Sequence, residues 1–134
     1  MNSEQIFNDS YQRCKADSPA FYADFYRHFR AQSPAVDAVF ATIDLQRQIL
    51  MLQESFVFLL NFSANKTISP VIHELALKHR NIEGIKAEMF DQWMSALLLT
   101  VAERDSRFDN HVEAAWRAIM GPGVRYIKQH AFPA

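Results

Sequence analysis

Three residues of this chain combine side chain and spacing in a way that could do chemistry: His79, Tyr26 and Gln48. His79 ends the series Val71, Leu75, His79, whose steps of four keep to one face of a helix. It therefore continues an apolar stripe, and a neutral imidazole aimed into an apolar pocket can ligate a metal such as iron. The same pattern also fits a core histidine bonded to a backbone carbonyl, and spacing alone leaves both open. Tyr26 lies among Phe21, Phe25 and Phe29, so its phenol is expected to be buried and to need a partner. Gln48 stands four residues before Leu52 on an apolar face, where an amide is costly unless hydrogen-bonded. Tyr26 and Gln48 thus either meet a ligand or satisfy each other or a water.

The remaining candidates are weaker. His73 lies off the line that ends at His79 and reads as a surface histidine. His28, His111 and His130 show no spacing with Cys, Asp or Glu that suggests zinc. The HExxH and GxSxG patterns and the glycine-rich phosphate loops are absent. Phe40, like the other Phe, Met and Trp residues, reads as ordinary core when taken alone.

The elements that position these residues are helical. Glycine occurs only at Gly84, Gly121 and Gly123, and the Asn-Gly and Asp-Gly pairs of tight hairpins do not occur. Ser18-Pro19, Ser33-Pro34 and Ser69-Pro70 each read as a helix start, with serine as cap and proline first inside. Asp44 can cap another, and Asn110 with Glu113 resembles a capping box. Helices are expected near 3–15, 19–32, 34–40, 44–62, 70–80, 86–104 and 110–130. The fourth carries Leu45, Gln48, Ile49, Leu52, Phe56, Leu59 and Leu60 on its apolar face. The sixth carries Met89, Phe90, Trp93, Met94, Leu97, Leu98 and Val101. Gly121-Pro122-Gly123 is expected to kink or interrupt the last helix. The tail, Phe132-Pro133-Ala134, is expected to fray. Short loops between unequal helices imply steep crossings and argue against a symmetric four-helix bundle.

Bulk properties narrow the class. The chain has 134 residues, 49% of them hydrophobic, which suits one domain over 1–134 with a sizeable core. A net charge of -1 gives no basic footprint for nucleic acid and no attraction to an anionic membrane. The single cysteine, Cys14, excludes a disulfide within the chain and a CxxC metal site. No stretch of about 20 residues is continuously apolar, so no membrane span is expected. The opening MNSEQIFNDS lacks the basic start and apolar run of a secretion signal, so a cytoplasmic location is expected.

Taken together, these residues resemble the globin family. Phe25-Tyr26-Arg27-His28-Phe29-Arg30, followed by Pro34 and Phe40, is similar to the second and third helices of bacterial haemoglobins and flavohaemoglobins. In those proteins a tyrosine stands eight residues before the proline and a haem-stacking phenylalanine six after it; Tyr26 and Phe40 fall in register. Asp44-Leu45-Gln46-Arg47-Gln48, running on to Leu52, resembles the distal helix, and Leu75-Ala76-Leu77-Lys78-His79 the proximal stretch. Gly84-Ile85-Lys86 through Phe90, and Ala115-Trp116, resemble the openings of the last two helices.

The resemblance implies an all-α globin fold, a 3-on-3 sandwich of about seven helices. It implies haem b, with iron held by His79 and the ring contacted by Phe40, Leu52, Leu75, Ile85, Phe90 and Trp93. Tyr26 and Gln48 would then face bound oxygen, nitric oxide or carbon monoxide, in a monomer or homodimer. Nitric oxide dioxygenation with an external reductase is one implied task. A gas-sensor module and a globin-like interaction domain without haem are the alternatives, although sensors are usually fused to an output domain and His79 is retained.

Three features depart from the flavohaemoglobin pattern. The loop Arg80-Asn81-Ile82-Glu83-Gly84-Ile85 is one residue longer. Phe90 stands where a tyrosine is found, and the tail around Ala131 offers no carboxylate, so no group is expected to polarise His79. A flavin-reductase domain is absent from these residues.

Overall fold

Local capping sets most of the helix starts in this computed structural model, which describes residues 2–65 and 70–132, with the backbone alone for residues 17–19, 65 and 71. Asn2 and Gln5 form a capping box at the head of α1 (Ser3–Cys14). A 3-10 turn, Lys15–Asp17, runs straight into α2 (Ser18–Arg30). Ser18 is thus the first helical residue and not an extended cap before it, because the turn leaves no room for one. Ser33 behaves as expected. Its Oγ accepts the Val36 N–H at 3.2 Å, and Pro34 opens α3 (Pro34–Phe40). Asp44 Oδ1 accepts the Gln46 N–H at 3.1 Å ahead of α4 (Leu45–Asn65). Ser69, the expected cap of α5 (Pro70–Arg80), lies outside the described residues, as do Pro133 and Ala134 of the tail.

Two starts differ from expectation. α6 (Glu88–Arg104) begins two residues late, after Ala87, which offers no side-chain cap. α7 (Asn110–Ala131) is capped by Asp109, whose Oδ1 accepts the Val112 N–H at 2.9 Å. Asn110 and Asp109 are both competent caps, and the carboxylate gains more from the positive helix terminus.

The larger correction concerns Gly121-Pro122-Gly123. α7 runs through them without interruption. The glycines serve close packing instead: a Cβ on Gly123 would stand 2.4 Å from Leu59 Cδ2, so the bare backbone lets α7 press against α4. With tertiary contact on both sides, the one hydrogen bond that Pro122 removes does not break the helix.

The seven helices form two layers among the described residues. α1, α6 and α7 touch one another; α2 and α5 flank α4; and the layers meet through α2–α6, α4–α7 and α5–α7. Trp116, Phe7, Phe21, Phe25 and Phe56 are fully buried between them. Leu45, expected on the apolar face of α4, is 39% exposed, because α4 does not reach the core until Gln48. At the α6–α7 corner, Ser10 Oγ donates to Asp105 Oδ2 at 2.6 Å and accepts from Trp116 Nε1 at 2.9 Å. Arg13 Nη2 adds a bond to Asp105 at 2.9 Å, tying α1 to the corner.

Candidate functional site

One large cleft opens between the layers, and the residues chosen from the sequence converge on it. α2 and α3 contribute Tyr26 and Phe40, and α4 contributes Gln48 and Leu52. α5 contributes Leu75 and His79, and α6 contributes Phe90 and Trp93. Ile85 reaches it from the α5–α6 loop. Counting its open mouth, the cleft holds about 1040 Å³ of empty space. Its walls are overwhelmingly apolar; the side chains with hydrogen-bonding groups that line it are Tyr26, Gln48, Ser55, His79 and Trp93.

His79 is held in one tautomer. Its Nδ1 lies 2.6 Å from the Leu75 carbonyl oxygen. A carbonyl can only accept, so Nδ1 carries the hydrogen and Nε2 of the neutral ring carries a bare lone pair. Among the described residues Nε2 has no hydrogen-bond partner. Burial pushes the imidazole pKa down, against a smaller upward push from the Leu75 bond, so the neutral form is the one present at physiological pH. The Phe90 ring sits 5.6 Å from the imidazole, centre to centre, and offers it no hydrogen bond. The expected stripe needs one adjustment. Ile72 and Ala76 form the buried edge of α5, while Leu75 and His79 turn toward the cleft. The side chain of Val71 lies outside the described residues.

Tyr26 is 3% exposed and packs edge-on to Phe40, ring centres 5.5 Å apart. Its hydroxyl donates to the backbone carbonyl of Gln48 at 3.3 Å, not to the Gln48 amide. Burial raises its pKa well above the usual phenol value, so it remains a donor. Gln48 is half-buried, and its side chain lines the cleft. His73 is exposed, as expected, and bonds through Nδ1 to the Tyr126 hydroxyl at 3.0 Å.

Several lining residues were not legible beforehand. Met51 and Ile82 stand at the mouth, 42% and 40% exposed, with Ile43 at 38%. Val124 and Ile127 come from the part of α7 beyond Pro122, where helical phase was expected to be lost. An unbroken helix would have placed both, three residues apart, on the buried side of α7.

The cleft fits a haem group. It has apolar walls, a single imidazole with its Nε2 lone pair uncommitted, and two hydrogen-bonding residues, Tyr26 and Gln48, from other helices. His79 is the residue that could hold iron, and Phe40, Leu52, Leu75, Ile85, Phe90 and Trp93 could pack the ring.

No family model matches the sequence, and no curated protein matches it. A crystal structure from Pseudomonas aeruginosa PAO1 does, that of a protein described as structurally highly homologous to a human haemoglobin. It superposes with a TM-score of 0.87 and 37% sequence identity, covering 96% of this chain and 98% of that one. No helix of the described residues is long and apolar enough to cross a membrane. The chain belongs to one family with that Pseudomonas protein, and its fold is the globin fold.

Proposed function

We propose that this chain is a haem protein of the bacterial single-domain haemoglobin type, which binds oxygen and other diatomic gases reversibly. The observation that carries the proposal is the tautomer of His79, with Nδ1–H donated to Leu75 and Nε2 left bare in an apolar cleft. Haem b, when bound, would supply the iron that takes up the gas, and His79 is the residue that would hold it. Tyr26 and Gln48 act on the ligand there. Their hydrogen-bond donors would stabilise negative charge that develops on an oxygen ligand, as donors fixed in advance do. The Tyr26 hydroxyl would reach such a ligand by giving up its bond to the Gln48 carbonyl, which at 3.3 Å is at the long end of useful length. Leu52 and Phe40 keep water out of that half of the cleft.

The partner of His79 also sets the chemistry. A carbonyl acceptor leaves the ring a neutral donor, whereas a carboxylate would draw the proton away and push electrons toward iron. This favours reversible binding over oxidative turnover. Removal of nitric oxide at the same site would draw electrons from an external reductase.

Stopped-flow release of oxygen and carbon monoxide from haem-loaded protein tests the role of Tyr26. A charge-assisted hydrogen bond contributes about 1.5–3 kcal/mol. Tyr26→Phe is therefore expected to speed oxygen release roughly 10- to 100-fold relative to carbon monoxide release, since about 1.4 kcal/mol is a factor of ten. An equal effect on both gases would remove Tyr26 from this role.

A further inference from the structure

Tyr26, although buried, lines two separate spaces. One is the cleft, the other a shallow depression on the outside of the molecule, and Tyr26 is the residue common to both. Ala23, Ala31 and Leu45 form the apolar wall of this depression, and Arg27, Arg30 and Asp37 its rim. We infer that it is a second port for neutral diatomic gases, closed by the Tyr26 ring, leading to the half of the cleft that Tyr26 and Gln48 line. The inference rests on the haem reading given above.

Three observations converge on it. First, the exposed residues that line the cleft are Ile43, Met51 and Ile82, so a group that occupied the cleft would share that opening with incoming gas, whereas the depression opens separately. Second, the α4 side of the partition is loosely held. Tyr26 is tied to α4 by one hydrogen bond of 3.3 Å, and residues 41–47, which join α3 to the first turn of α4, are all exposed. Segments with so few buried contacts open locally at low free-energy cost.

Third, the rim suits an uncharged ligand. Arg30 Nε pairs with Asp37 at 2.7 Å. Arg27 Nη2 faces Glu103 at 3.2 Å and Asp24 at 3.6 Å, and Arg104 pairs with Asp24 at 3.0 Å. His28 Nε2 lies 2.9 Å from Glu103. Each guanidinium thus already has a carboxylate, and the port offers no uncompensated charge to hold an anion such as nitrate.

Two measurements test the port. In haem-free protein, dissolved oxygen is a paramagnetic probe of where gas resides. Methyl relaxation at Ala23, Ala31 and Leu45 is expected to be enhanced at least about twofold over Leu99, which is more exposed at 48% but lies outside both cavities. Enhancement equal to that of Leu99 would overturn the port. In haem-loaded protein, Leu45→Trp fills the depression from its exposed side. It is expected to slow carbon monoxide association at least about threefold after flash photolysis and to raise the geminate fraction, while Leu99→Trp changes neither. Unchanged kinetics with a normal carbonyl spectrum would overturn the port and leave the haem reading standing. Protein that takes up no haem overturns both, and the missing Soret band tells that result apart. Because the port treats oxygen and carbon monoxide alike, it cancels from the ratio measured for Tyr26→Phe.

Discussion

At the scale of single residues, His79 shows what a sequence can and cannot say. Its helical phase was visible, and the family resemblance named it as a ligand, but the choice between ligand and satisfied core histidine depends on which nitrogen is free. That is fixed by the Leu75 carbonyl one turn earlier, a backbone atom with no signature in residue type. Tyr26 is similar: its burial followed from its phenylalanine neighbours, whereas its bond to the Gln48 carbonyl did not, because every residue carries such a carbonyl. The lowered pKa of His79 gives a test that needs no haem. Above about pH 6.5 the ring is neutral in both folded and unfolded chains. As pH falls below that, the unfolded chain takes up the proton first, so stability drops until the lower folded-state pKa is passed. Urea denaturation of haem-free protein between about pH 7 and pH 5 should therefore lose more stability in the wild type than in His79→Leu. Equal losses would mean that the imidazole is not held neutral by burial.

At the scale of elements, the helices between clear punctuation were legible and the punctuation itself was only partly so. Ser33-Pro34 and Asp44 act as their residue types suggest, since an N-cap needs only its own side chain and the next turn. Gly121-Pro122-Gly123 misleads, because its meaning depends on a helix distant in sequence. Gly123 and Gly121 separate the two explanations. Gly123→Ala gains about 1 kcal/mol of helix propensity. It also drives a methyl into Leu59, 2.4 Å away, and overpacking costs about 1–3 kcal/mol, so a net loss near 1 kcal/mol is expected. Gly121→Ala meets only the end of the exposed Arg125 side chain, at 2.8 Å to Nη1, which can move aside, so it should be neutral or stabilising. Chemical denaturation of the two variants decides it. Equal stabilisation of both would show that α7 and α4 are not in the close contact described.

At the scale of the whole molecule, two layers leave a cleft because the core is filled elsewhere, by the aromatic cluster around Trp116 and Phe56, and because Asp105 anchors α1 to the α6–α7 corner. Burial pushes the Asp105 carboxyl up, but bonds from Arg13, Ser10 and the Arg107 N–H outweigh it and hold its pKa low. Its contribution is present above the ordinary carboxylate range and is lost as pH falls through the folded-state value. Asp105→Ala should cost about 3 kcal/mol, the low end for breaking a buried pair, since Arg13 is 28% exposed and can turn to water. A denaturation midpoint unchanged by that substitution would remove the anchor. The central claim is that this scaffold exists to present His79 Nε2 to haem iron, and the most direct measurement is the absorption spectrum of protein titrated with haem under reducing conditions and carbon monoxide. Wild type should take up one haem per chain and develop a sharp Soret band. His79→Gly should lose it, and added free imidazole should restore it. A colourless wild type, or a His79→Gly spectrum that matches wild type without imidazole, would contradict the account.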